Sequence, residues 1–141
     1  MFTRSEYCHV GIAWCVAGRV FVLEAVGSGV RIFPLSLALP FFLFRLYAPL
    51  TRDAEKWALA QVGKPYSKWQ AILAGLGLLK AGDDSVWQCA EYAQEVLKRT
   101  GVDLPGDPTP SNIVRQAQER GAPAVYITAG GPSRGWPGDG A

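Results

Sequence analysis

The chain has 141 residues, 49% of them apolar, and a formal net charge of +2. Such a length suits one domain around one core, and the apolar share excludes a chain disordered by composition. The near-neutral balance, with no basic run interleaved with aromatics, argues against a nucleic-acid partner.

Arg4, Glu6 and His9 fall where an apolar stretch would mark a secretory signal, so none is expected. Tyr7 to Val16 predicts a strand. Alternation puts Val10, Ile12, Trp14 and Val16 on one apolar face. His9, Gly11, Ala13 and Cys15 share the other, a small-residue face with room for a helix. Ala17-Gly18 turns the chain into a returning strand, Arg19 to Ala25. Gly27-Ser28-Gly29 turns it again into a third strand, Val30 to Phe33, closed by Pro34, which makes an antiparallel meander. Leu35 to Leu39 reads as a helical turn or loop. Phe41 to Tyr47 reads as a fourth, buried strand, although a run this short also fits a helix segment. Pro40, Arg45 and Pro49 break the apolar stretch Leu35 to Leu50, which makes it core and not a membrane span.

Thr51 is placed to cap a helix through Ala54, Trp57, Ala58 and Val62 to Gly63. A turn over Lys64 to Ser67 precedes another helix, Trp69 to Leu79, weakened by Gly75 and Gly77. Lys80 to Ser85 reads as a polar loop. It delivers the chain to a helix starting at or just before Cys89, with Val86, Ala90, Ala93 and Leu97 as its apolar stripe. Glu91 near its start and Lys98 and Arg99 at its end suit the helix dipole, and Gly101 ends it. Pro110-Ser111 opens a last helix that buries Ile113, Val114, Ala117 and Gln118 and ends at Gly121. Ala124 to Thr128 is a final strand. Residues 1–128 therefore form one domain, and the Gly/Pro-rich residues 129–141 a flexible tail.

A cysteine in the first turn of a helix meets unpaired N–H groups that favour its thiolate. A free cysteine is more often a small buried residue, so the partner decides. His9 is the sole histidine and hence the one imidazole able to serve Cys89 as base. Glu24, in the apolar setting Val22-Leu23-Glu24-Ala25, either reaches solvent at the strand end or finds a partner. As a partner it would orient the ring. Tyr66, in the loop after Pro65, is placed to hydrogen-bond an oxyanion beside the backbone N–H of Cys89, or else simply packs its ring. Gln88 is either a substrate-binding neighbour of the thiol or merely the residue before the helix.

Three cysteines at irregular spacing make no disulfide framework, so reduced thiols are expected. Cys8 and His9 alternate to opposite faces and no CxxC pair exists, which sets aside a metal site. Cys15 lies six residues from His9, about 20 Å at strand rise, too far to be its nucleophile. No cofactor is implied.

With these residues in place the chain resembles the NlpC/P60 superfamily of papain-like cysteine hydrolases. One block is Gly63-Lys64-Pro65-Tyr66, Trp87-Gln88-Cys89-Ala90-Glu91-Tyr92, Thr100-Gly101-Val102-Asp103-Leu104-Pro105 and Thr109-Pro110-Ser111-Asn112, similar to the family's cysteine half. The other is His9-Val10-Gly11-Ile12, Val22-Leu23-Glu24-Ala25 and Gly29-Val30-Arg31, similar to its histidine half. The histidine half comes first, as in the circularly permuted branch of YiiX-like and lecithin:retinol acyltransferase-like proteins. The resemblance spans residues 7–128. It implies Cys89 as nucleophile, His9 as base, Glu24 as the third polar residue and Tyr66 near the oxyanion. The strand that usually precedes the histidine strand is shortened or missing, since only Met1 to Ser5 stand before it.

The expected fold is α+β, a small antiparallel sheet packed against helices, with the Cys89 helix on the sheet face that bears His9. The expected activity is a papain-like cysteine peptidase or amidase acting through a Cys89 acyl-enzyme, most readily on peptidoglycan-type peptides. A lipid acyl hydrolase or acyltransferase is the alternative, mildly favoured by Phe41, Phe42 and Phe44. A silent binding or virion-structural module is the non-enzymatic one. The expected setting is bacterial or phage, cytoplasmic or virion-associated, with no transmembrane segment.

Overall fold

Turn chemistry lays out the first half of the sheet. The computed structural model describes residues 2–4, 9–46, 48–64, 75, 84–128 and 131–132. Strands β2 (His9–Val16) and β3 (Arg19–Val26) are joined by Ala17-Gly18, both at positive φ, as a two-residue hairpin loop requires. Gly27-Ser28 leads into β4 (Gly29–Pro34), followed by a 3-10 turn at Leu35–Leu37 and β5 (Phe41–Phe44). Helix α1 (Arg52–Ala60) starts at Thr51, whose side-chain oxygen accepts from the Ala54 N–H. Helix α2 (Asp84–Arg99) carries the cysteine, and α3 (Pro110–Glu119) begins after a Thr109 cap with proline in its first turn. β6 (Ala124–Thr128) pairs antiparallel with β5.

The protein is α+β, and its described strands, with β1 (Phe2–Arg4) and β7 (Gly131–Pro132), form one antiparallel sheet in the order β4-β3-β2-β1-β5-β6-β7. The strand before the histidine strand is not missing. β1 (Phe2–Arg4) is short, but it lies inside the sheet, paired to β2 on one side and β5 on the other. Within the expected tail, β7 (Gly131–Pro132) pairs antiparallel with β6, and the rest of residues 129–141 lies outside the described residues. The expected helix over residues 69–79 lies outside the described residues apart from Gly75, as do Tyr7 and Cys8.

Each face of the sheet has its own apolar cluster. Val10, Ile12, Leu23, Ala25 and Val30 belong to a core shared with Cys89, Ala90, Ala93, Val96 and Leu97 of α2 and with Ile113, Val114 and Ala117 of α3. Val22 and Phe41 belong to a smaller cluster with Ala38, Phe33, Leu43 and Ile127. The helix therefore packs on the strongly apolar face of β2, not on the small-residue face that bears His9. Burial of Val10 and Ile12 outweighs the space left by Gly11 and Ala13. Alanines at 90 and 93, both fully buried, let the helix lie close to the strands. Tyr92 fixes α2 to α1: its hydroxyl donates to the Ala58 carbonyl at 3.1 Å, and its ring stacks on Trp57 at 6.1 Å. Arg99 covers the Trp57 ring at 4.5 Å.

Among the described residues no helix is long and apolar enough to cross a membrane.

Candidate active site

His9 stands on β2. Alternation assigns His9 to the face opposite Val10. The ring nonetheless reaches the thiol-bearing helix: the His9 and Cys89 side chains are hydrogen-bonded. Nε2 of the same ring meets Oε2 of Glu24 in a short contact. The β2–β3 register that pairs Ile12 with Leu23 sets Glu24 opposite Gly11, so Glu24 is a same-face diagonal neighbour of His9, and it is buried. Of the two expectations for Glu24, partner or solvated strand end, the structure has the partner.

Arg31 completes the chain of charges and was not singled out from sequence. Its Nε and Nη2 each lie 2.8 Å from Oε1 of Glu24, and its guanidinium stacks 4.3 Å over the Phe33 ring. The signal was present in the turn: Gly27-Ser28 sets a register in which Glu24 and Arg31 are direct cross-strand neighbours. Exposure rises along the series. Cys89 is fully buried, and the side chains of Glu24, His9 and Arg31 are 4%, 24% and 46% exposed.

These contacts set the protonation of the ring. Burial alone pushes His9 down, but hydrogen bonds to Cys89 and Glu24 and their charges more than offset it, raising His9 from 6.5 to about 9. The imidazole is thus a cation at neutral pH. Burial pushes the Glu24 carboxyl up, and the His9 and Arg31 contacts reverse this, leaving it below its ordinary value. Positive ring and negative carboxylate stabilise one another.

Helix α2 starts at Asp84, five residues before Cys89, and not at the cysteine. The polar run Asp83-Asp84-Ser85, read as loop, supplies residues suited to a helix start. Cys89 therefore sits in the second turn. Its backbone N–H belongs to the i→i−4 ladder and is not free for an oxyanion, and the dipole acts mainly on the turn before it. Glu91 is correspondingly not near the start; it is buried further along the helix. The stabilising partner of a Cys89 thiolate is the His9 cation. Gln88 is buried beside it, and among the described residues its Oε1 meets no hydrogen-bond donor. Tyr66 lies outside the described residues.

The segment leading toward Tyr66 is anchored to the same hairpin. Gly63 N–H donates to the Val30 carbonyl at 3.0 Å, and Val62 forms a parallel bridge with Val30. Gly29, at φ +126°, makes room for the Lys64 carbonyl, which would stand 2.5 Å from a Cβ there. Cys15 is exposed at the far end of β2, away from His9. Among the described residues no group of His, Cys, Asp and Glu is arranged to hold a metal ion.

No protein-family model matches the chain, and no curated protein is significantly similar to it.

Proposed function

We propose that the protein is a papain-like cysteine hydrolase that cleaves an amide bond through an acyl-enzyme on Cys89. The observation that carries this is the ring of His9 held between the Cys89 side chain and the Glu24 carboxylate. In this reading the Cys89 thiolate attacks the substrate carbonyl carbon. The His9 imidazolium gives its proton to the departing amine as the C–N bond breaks, leaving a thioester. Neutral His9 then takes a proton from water, the hydroxide attacks the thioester, and the thiolate leaves with the acid released. Glu24 keeps the ring in the tautomer and orientation both steps need.

Because the Cys89 N–H is committed to its helix, other donors stabilise the tetrahedral oxygen. Tyr66 and the side-chain amide of Gln88 are our candidates. Cys89 is fully buried. Peptidoglycan-type peptides are the proposed substrates.

A second reading, a lipid acyl hydrolase or transferase using the same thiol, draws on one observation. A cavity of about 380 Å³ borders β2 at Ile12 and Ala13, with Leu43, Phe44, Leu46 and Leu50 in its wall.

The test is release of peptide fragments from purified peptidoglycan by the wild-type chain, lost in Cys89→Ala. Fatty acid released from phospholipid in its place selects the second reading. Iodoacetamide labelling of Cys89 that is equally fast in wild type and His9→Asn would refute an activated pair altogether.

A further inference from the structure

We propose that Arg31 is a positioning residue for the Cys89–His9 pair: by gripping one oxygen of Glu24 it holds the other against the His9 ring. The inference rests on the reading of Cys89 and His9 as the reacting pair.

A carboxylate can turn about its last bond, and both of its oxygens can accept from an imidazole. Here both Arg31 donors go to Oε1, so Oε2 is the oxygen left for Nε2 of His9. The guanidinium is itself held, stacked on Phe33, and the β3–β4 register places it directly opposite Glu24. A planar fork suits this task better than an ammonium, which has no fixed plane.

Charge gives the second reason. In the reactive state thiolate, imidazolium, carboxylate and guanidinium alternate in sign and sum to zero. Without Arg31 the buried set carries a net negative charge, which a low-dielectric interior disfavours. The cheapest relief is a proton on Glu24. A protonated Glu24 no longer stabilises the imidazolium, so the ion pair with Cys89 collapses at a higher pH.

The experiment is the pH profile of Cys89 labelling by iodoacetamide between pH 5 and 9, followed by mass spectrometry of the Cys89 peptide. The proteins are wild type, His9→Asn, Arg31→Gln, Arg31→Lys and Phe33→Leu. For Arg31→Gln the acid limb should move up by about half to one pH unit. Labelling at the foot of the limb then falls about three- to tenfold, and labelling on the plateau above it stays close to wild type. Arg31→Lys should bring the limb at least partway back. Phe33→Leu, which frees the guanidinium from its stack without removing it, should move the limb the same way by less. This variant keeps the question open to refutation should Arg31→Gln fold poorly. A role in hairpin stability alone would lower the melting temperature and leave the limb in place. Profiles of Arg31→Gln and Phe33→Leu that overlay wild type, while wild type remains faster than His9→Asn, overturn the inference and spare the pair. Equal rates in wild type and His9→Asn remove both.

Discussion

Replacing Glu24 by glutamine keeps the side chain's shape and takes one negative charge from the His9 ring. The rise of His9 from 6.5 to about 9 corresponds to on the order of 3 kcal/mol in favour of the charged ring, net of the burial that opposes it. A hydrogen bond to a charged partner contributes about 1.5–3 kcal/mol. Losing the carboxylate should therefore lower the titration of His9 by about one to two pH units, with Cys89 the remaining raising partner. The assay is proton–carbon NMR of the imidazole. His9 is the sole histidine, so one resonance reports it without assignment. The step belongs to the coupled thiol–imidazole pair, so Cys89→Ala is titrated alongside. The same shift acts on folding. A raised folded value stabilises fully below the unfolded value of about 6.5 and is lost as pH rises through about 9. Glu24→Gln should flatten that alkaline loss. A wild-type ring that titrates near 6.5, or a Glu24→Gln ring that titrates with wild type, refutes the argument.

Glu24 carries the opposite sign. Its folded value is lowered, so its contribution is present above about 4.5 and disappears as pH falls through the folded value. Urea melts between pH 7 and 3 should show a loss of stability in wild type that Glu24→Gln lacks. Tyr92→Phe removes the hydroxyl that reaches Ala58; the Gln61 N–H still serves that carbonyl, so a cost of about 1 kcal/mol is expected in a thermal melt. Gly29→Ala places a Cβ against the Lys64 carbonyl at a φ that L residues rarely adopt, and should destabilise by about 1–3 kcal/mol in denaturant. A melt unchanged by Gly29→Ala would mean that the Val62–Lys64 segment does not rest on the hairpin.

The parts of the fold that could be read ahead were those with local punctuation. Ala17-Gly18 and Gly27-Ser28 announce their turns, and Thr51 and Thr109-Pro110 announce their helices, because each residue type solves a backbone problem on the spot. The choice of face was not local. Alternation in β2 separated Val10 from His9 correctly, but which set meets the helix depends on apolar area summed over β3, β4 and α3. The start of α2 was missed because Asp84 and Ser85 suit a loop as well as a first turn. β1 is too short for any period to be counted. The juxtaposition of residues 9, 24 and 89 was legible only as a requirement of chemistry: one imidazole, one acid in an apolar strand, one thiol on a helix. Arg31 stands in the sequence only as part of Gly29-Val30-Arg31, because a cross-strand partner shows itself only once the register is worked out from the turn.

Phe2–Arg4 stitches two sub-sheets together, and the division it creates is unequal. His9, Glu24, Arg31 and Cys89 come from β2, β3, β4 and α2, all on one flank of that stitch. Leu43 and Phe44, which wall the cavity beside Ile12, come from the other flank. Drift at Leu43 or Phe44 of β5 can therefore reshape that cavity while the charge series stays intact. A lesion in β1 has no such freedom: it unclasps the far flank and, through the pairing of Arg4 with His9, slackens the backbone under the imidazole in one stroke.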